Sequence, residues 1–243
     1  MIDTIFFDVG NTLRVVIKDE AFSGAAESEL MRLAGTDEQR EAFFSKLEAR
    51  WKQYRKAAKG GGLDASEMEL WSQHLLPDCP IDRICANAGR LTRLWRDRDG
   101  RRVARPDVKD TLIELDRRGY TIGIIANTIT ETEIPDWMIA DGVARYFKCV
   151  VLSSKVRIRK PDPAIYLLAA RAAGKPPENC AYIGDNPVRD VEGAYAAGFG
   201  MMVLIYEPDT LMKEETRLSE TRGPDHIITA ISQILDIFPP LDA

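Results

Sequence analysis

From about residue 105 onward, short apolar runs alternate with helix-like stretches, and each run stops on glycine or a polar residue. Residues 120–126 (YTIGIIA), 148–152 (KCVVL), 180–184 (CAYIG) and 201–205 (MMVLI) lack the strict polar–apolar alternation of a half-exposed strand. They read as strands buried on both faces. Helix patterns lie between them at 106–119, 131–144, 163–174 and 188–197, the first opening on Pro106-Asp107 and closing at Gly119. A further run at 225–228 leads into a helix that ends near Ile237. The chain also opens with such a run, Ile5-Phe6-Phe7, broken by Asp8, Gly10 and Asn11. Strands and helices in this order specify an α/β fold, a doubly wound, Rossmann-like parallel sheet covered on both faces.

Residues 19–98 interrupt that rhythm. They are rich in Glu, Ala, Arg, Lys and Leu and show no strand-like alternation, which predicts three or four helices. Breaks fall at 59–62 (KGGG) and 76–80 (LPDCP). The expected organisation is a core of 1–15 and 99–243, with 16–98 inserted as a helical cap domain. Trp51, Tyr54, Trp71 and Trp95 fall in this insert, where packing between helices is the ordinary use of each.

Composition narrows the class of ligand. Lys+Arg 33 against Asp+Glu 38 leaves a net charge of −5, so no broad positive field is available for nucleic acid or an anionic membrane. A phosphate would have to be bound locally, and the expected partner is a small phosphorylated substrate. The four cysteines, Cys79, Cys85, Cys149 and Cys180, form no C-x-x-C pair, and His74 with Cys79 and Cys85 matches no zinc knuckle. They read as reduced thiols. The run around Ile5 is too short for a signal sequence, and no stretch approaches the ~18 apolar residues of a span. A cytoplasmic location is expected.

An open parallel sheet binds ligands outside the C-terminal ends of its strands. The residues that end strands are Asp8, Asn127 with Thr128, and Asp185, with Lys160 in the loop after the 148–152 strand. Each has a plain structural use when taken alone: a cap, a turn, a solvated lysine. At one sheet edge, however, Asp8 becomes a carboxylate nucleophile towards phosphorus. Asp8, Asp185 and Asp190 together supply the oxygen-rich shell that Mg²⁺ prefers. Lys160 would offset the charge of a phosphate and of the carboxylates, while backbone amides near Asn127 and Thr128 would cradle phosphate oxygens.

These motifs, Asp8-Val9-Gly10-Asn11-Thr12, Ala126-Asn127, Lys160-Pro161-Asp162-Pro163 and Gly184-Asp185 through Asp190, resemble in order and spacing those of the haloacid dehalogenase-like (HAD) hydrolases. The resemblance implies that Asp8 attacks phosphorus and that Mg²⁺ is held by Asp8, the Gly10 carbonyl and Asp185, with Asp190 supporting the shell. It further implies that the insert between the first and second motifs is the closing cap of the subfamily with an early insertion, which excludes water and selects the substrate.

Two positions depart from the family pattern. Gly10 stands where the phosphatases carry the acid–base Asp, a group whose help is typically worth ~10²–10⁴ in rate. Ala126 stands where a Ser or Thr hydroxyl binds phosphate, and Thr128 is the nearby candidate to replace it. Asp19 and Glu20, where the chain enters the insert, are conceivable substitute bases; His74 and His226 are remote from the motifs. Two branches of the family work without an acid at this position. The dehalogenases lack the magnesium pair that Asp185 and Asp190 suggest. The phosphonoacetaldehyde hydrolases use a cap lysine that Lys46, Lys52, Lys56 and Lys59 do not recognisably match. A receiver-like phospho-acceptor would place its Asp after a later strand and carry no helical insert. Two readings remain, a Mg²⁺-dependent phosphatase and a catalytically silent protein that binds phosphate and Mg²⁺.

Overall fold

The computed structural model describes residues 1–61, 63–207 and 222–241. Its strands are β1 (Thr4–Phe7), β2 (Arg14–Ile17), β3 (Arg101–Ala104), β4 (Thr121–Ala126), β5 (Phe147–Leu152), β6 (Cys180–Gly184), β7 (Met201–Ile205) and β8 (His226–Ile228). Six of them form one parallel sheet in the order β5-β4-β1-β6-β7-β8. The alternation of side chains along a strand sends Ile5 and Phe7 to one face and Phe6 to the other, and each face has its own apolar cluster. Tyr182 and Ile183 of β6 divide in the same way. Gly123 of β4 leaves room for the Phe6 ring, which lies 2.5 Å from where a β-carbon would stand.

The insert folds as α1 (Glu20–Ala34), α2 (Arg40–Gly61), the short α3 (Glu67–Glu69) running on as a π-helical turn (Leu70–Leu75), and α4 (Ile81–Asp97). The expected break in the long helix falls at its end, Gly61, while Gly62 lies outside the described residues. On α4, Ile84, Ala88, Leu91 and Trp95 recur at helical spacing and bury one stripe. That stripe packs with Leu30, Phe43, Leu47 and Trp71 into a third apolar cluster, separate from the two beside the sheet. Ser66 and Glu69 cap α3 reciprocally, each accepting from the other's backbone N–H.

Helices α5 (Val108–Arg117) and α6 (Glu133–Ala140) cover one face of the sheet. A single turn, α7 (Ser153–Val156), follows β5, and α8 (Pro163–Ala172) with α9 (Gly193–Ala196) covers the other face. A last turn, α10 (Ile234–Ile237), returns to the first face. The helix expected over 188–197 opens as a π-helical turn, Pro187–Glu192, before α9. The antiparallel pair β2 and β3 has no counterpart in the sequence reading. At four residues each, RVVI and RRVA are too short and too charged to show a period. This pair brings Arg14 and Arg102 to the cavity above β1. No helix among the described residues is long and apolar enough to cross a membrane.

Candidate active site

Asp8 is the first residue past β1, and its N–H donates to Ile183 O at 2.9 Å, tying it to β6. Phe7 pairs with Ile183, so Asp8 and Asp185 leave the ends of adjacent strands one residue apart in register. Asp190 reaches them through the turn after β6. There Asn186 Oδ1 accepts from Val188 N–H (3.1 Å) and Arg189 N–H (2.7 Å), and Asp190 Oδ2 accepts from Asn186 N–H at 3.0 Å. The carboxylate packs directly over Gly184, where a β-carbon would fall 2.5 Å from Asp190 Oδ2. Asp8, Asp185 and Asp190 are all buried and can offer oxygens within 4.8 Å of one another. Among the described residues this is the group of acids and thiols close enough to hold a metal; His74, Cys79 and Cys85 form no such group. The cysteines are unpaired.

Lys160 is 1 % exposed, which makes its charge expensive unless every ammonium proton has a partner. It has three: Asp190 Oδ1 at 2.8 Å, Asp8 Oδ1 at 3.0 Å and the Tyr182 hydroxyl at 2.5 Å. Tyr182 passes its own proton to Ile125 O at 2.9 Å. Burial, and then the charges of Asp190 and Asp8, hold Tyr182 well above the usual phenol range, so it stays neutral. Burial alone would push Asp190 up, but Lys160 and Arg189 outweigh it and hold that carboxyl below its ordinary value.

The strand-end residues of β4 occupy less obvious roles. Asn127 lines the cavity, but its carboxamide grips the main chain of Lys160, donating to O at 2.9 Å and accepting from N–H at 2.8 Å. Thr128 is buried at the same wall. Its N–H donates to Ser153 Oγ at 3.0 Å and its hydroxyl accepts from Thr130 N–H at 3.1 Å, which leaves the hydroxyl proton for another acceptor. Ala126 is buried in the same lining, to which the exposed Gly10 also contributes.

Several groups were not visible as site residues in the sequence. Arg189 Nη2 lies 3.2 Å from Asp185 and 3.4 Å from Asp8, a bridge between the two carboxylates. Its neighbours' charges outweigh burial and raise its pKa, so it remains a cation. Glu133, buried on α6, accepts from Arg14 at 2.8 Å and also pairs with Arg96, with Arg102 at 3.9 Å. These residues come from four separate elements, which no local motif reveals.

The cavity over Asp8 measures about 420 Å³, of a size for a small molecule. A neighbouring cavity of about 360 Å³ shares Arg55, Arg96, Asn127 and Thr128 with it and is lined by Trp51 and Trp95. Trp71 is fully buried and donates to Thr92 at 2.7 Å, a packing role, and Tyr54 stacks on Trp51. The substitute bases considered from sequence are elsewhere. Asp19 caps α1 and pairs with Arg101, Glu20 and His226 are exposed, and His74 sits against Tyr54. None of them lines the Asp8 cavity. Lys59 does, whereas Lys46 pairs with Glu38 and Asp78 and Lys52 lines the neighbouring cavity.

The strand order, the acids at adjacent strand ends and the buried lysine between them define an α/β protein with a carboxylate-centred site. A model of the haloacid dehalogenase-like hydrolases matches residues 2–198, and the chain belongs to that family. It is 30% identical over 222 residues to a phosphoserine phosphatase of Thermus thermophilus, covering 80% of this chain and 85% of that one. It is 28% identical to a glyceraldehyde 3-phosphate phosphatase of Methanopyrus kandleri over 98% of this chain and 97% of that one. Among solved structures, a 2-haloacid dehalogenase of Pseudomonas syringae matches the fold with a TM-score of 0.69 at 22% identity, over 98% of both chains. A HAD phosphatase of Thermococcus onnurineus matches with a TM-score of 0.60 at 23% identity, over the whole of both.

Proposed function

We propose that the protein is a Mg²⁺-dependent phosphatase acting on a small phosphate monoester. The observation that carries this reading is the fully buried Lys160 held between Asp8 and Asp190, beside Asp185. A lysine so placed aims Asp8 and leaves its other carboxylate oxygen, 3.4 Å from Arg189, to the cavity as nucleophile. An Asp8 oxygen forms a bond to phosphorus while the substrate's ester oxygen leaves with its electron pair. Water then cleaves the resulting aspartyl-phosphate. Three buried carboxylates with one lysine between them call for a further cation, and the approach of Arg189 to Asp8 and Asp185 marks where positive charge is favoured. Asp8, Asp185 and the Gly10 carbonyl are the donors suited to Mg²⁺, and Asp190, already engaged by Lys160 and Asn186, supports them. Bound there, Mg²⁺ would neutralise charge on the phosphoryl group.

The residues 16–98 then serve as a cap, closing over Asp8 through Arg55, Lys59 and Arg96. Asn127 positions Lys160, and Thr128 offers the hydroxyl that Ala126 lacks. Nothing at Gly10 protonates the leaving oxygen, so substrates whose leaving group needs little protonation are favoured. The names of the relatives, phosphoserine phosphatase and glyceraldehyde 3-phosphate phosphatase, agree with a small phosphorylated metabolite as substrate.

A second reading, a catalytically silent phosphate- and Mg²⁺-binding protein, is favoured by one specific feature: Gly10 and Ala126 remove the acid and the hydroxyl while the charged residues remain. Phosphate release from sugar, nucleotide and aryl phosphates, with and without Mg²⁺, separates the two. Metal-dependent turnover that disappears in Asp8→Asn supports the phosphatase. Binding of Mg²⁺ and phosphate with no release from any ester supports the silent protein.

A further inference from the structure

We propose that the substrate carries a second anionic group besides the reacting phosphate, and that Arg55 of α2 is the specificity-determining residue that reads it. This rests on the phosphatase reading and names the class of monoester. The walls of the Asp8 cavity carry Arg14, Arg55, Lys59, Arg96, Arg102 and Arg189 against the carboxylates of Asp8 and Asp185. Lys160 and a divalent cation offset Asp8, Asp185 and Asp190. The six cations of the walls then face the roughly two negative charges of a phosphate monoester together with Glu133 and Asp99, which leaves positive charge in surplus. Apart from Arg189, these cations belong to the insert (Arg55, Lys59, Arg96) and to the β2–β3 pair (Arg14, Arg102).

Most of these cations have acids of their own. Arg14 and Arg96 share Glu133, Arg102 pairs with Asp99, and Arg189 bridges Asp8 and Asp185. Arg55 does not. Among the described residues no carboxylate pairs with it and no acceptor takes its protons; its guanidinium stands 5.4 Å from the centre of the Trp51 ring. It is nevertheless half-buried and lines both the Asp8 cavity and the neighbouring one. Partial burial, followed by the charge of Arg159, presses its pKa below the ordinary value despite the attraction of Asp64. A second donor of this cavity's lining is also unmet: Nε of the buried Arg14 has no partner. An anion beside Arg55 would meet a planar donor and relieve the repulsion, which is the arrangement that recognises carboxylate and phosphate alike. A cavity of about 420 Å³ has room for one small molecule that carries both that group and the phosphate.

The test compares three monoesters of similar size: 3-phosphoglycerate, with a carboxylate; 1,3-propanediol bisphosphate, with a second phosphoryl group; and glycerol 3-phosphate, with neither. Wild type is expected to show kcat/KM at least tenfold higher for one of the charged pair than for glycerol 3-phosphate. Whichever of the two leads identifies the second group. In Arg55→Gln that ratio is expected to fall at least tenfold, mainly through KM, and Arg55→Lys is expected to keep part of it. A wild-type ratio near one, or a ratio unaltered by Arg55→Gln, overturns the proposal. Should wild type hydrolyse none of the three, the phosphatase reading is decided by the sugar, nucleotide and aryl panel, and calorimetric titration of the same three compounds in the presence of Mg²⁺ tests Arg55 separately. Tighter binding of a charged compound that is lost in Arg55→Gln upholds the proposal; equal binding of all three, or none, overturns it.

Discussion

The carboxamide of Asn127 makes both its hydrogen bonds to the main chain of one residue, Lys160, at 2.9 and 2.8 Å. The loop that carries Lys160 is thereby clamped to the end of β4, thirty-three residues earlier. A long flexible side chain delivers its charge to one point only when its backbone is fixed, and here the fix comes from the strand beside β1.

Asn127→Ala is therefore expected to act through Lys160. Removing both bonds loosens the loop and lowers kcat by roughly tenfold to a hundredfold, the scale of a small misplacement at a reacting centre. Because Asn127 stands at the cavity wall, KM alone is not diagnostic. The distinguishing readout is a double-mutant cycle with Lys160→Met: if Asn127 acts through Lys160, the two losses in kcat do not add. An unchanged kcat, or losses that add, would show that the clamp is dispensable.

Lys160→Met should destabilise the fold as well as the chemistry. The substitution leaves Asp8 and Asp190 buried without their cation, a change that costs about 3–5 kcal/mol. Urea unfolding is expected to show that loss in the absence of metal and a partial recovery on adding Mg²⁺, which restores positive charge to the cluster. A variant as stable as wild type in metal-free buffer contradicts this account of the site.

Glu133 gives a pH dependence of defined sign. Burial alone would raise its carboxyl, but Arg96, Arg102 and Arg14 outweigh burial and hold it below the ordinary value of 4.5. A folded pKa below the unfolded one means that folding favours the ionised form. This contribution is complete above about pH 4.5 and disappears as the pH falls through the folded value. Glu133→Gln is expected to cost about 3 kcal/mol at pH 7, since three guanidinium groups lose their shared acid. The gap between variant and wild type should narrow between pH 5 and pH 3. Urea midpoints across that range check the sign; a gap that widens in acid refutes it.

The unequal legibility of these features has a physical cause. Asp8 and Asp185 stood out because an apolar strand buried on both faces must end at a polar residue, and parallel strands bring those ends to one edge. The same logic placed Lys160 near them. Arg189 could not be seen, because one arginine in a charged turn resembles any solvated residue until the fold turns it onto Asp8 and Asp185. Nor could Glu133 and its arginines, which converge from β2, β3, α4 and α6. The pair β2 and β3 escaped notice because four-residue strands carry too little pattern, although they bring Arg14 and Arg102 to the cavity. Asn127 was legible as a strand-end residue but not as a clamp, since its partner is a main-chain group that any residue could have supplied.

Gly10→Asp is the substitution that most directly probes what the chain has lost. A β-carbon at Gly10 would meet nothing within 4 Å, so the backbone accepts a side chain there without displacing a neighbour at its first atom. The new carboxyl would sit on the exposed wall of the Asp8 cavity, two residues from the nucleophile. If Asp8, Lys160 and Asp185 are otherwise competent, general acid–base help should raise kcat on alkyl phosphates by roughly 10²–10⁴. The gain should be much smaller on aryl phosphates, whose leaving groups depart without a proton. Steady-state rates for an alkyl and an aryl ester with both proteins decide the matter. An increase confined to the alkyl ester locates the deficit at Gly10. No increase on either places it elsewhere, and Ala126→Ser in the Gly10→Asp background then tests the missing hydroxyl at the end of β4.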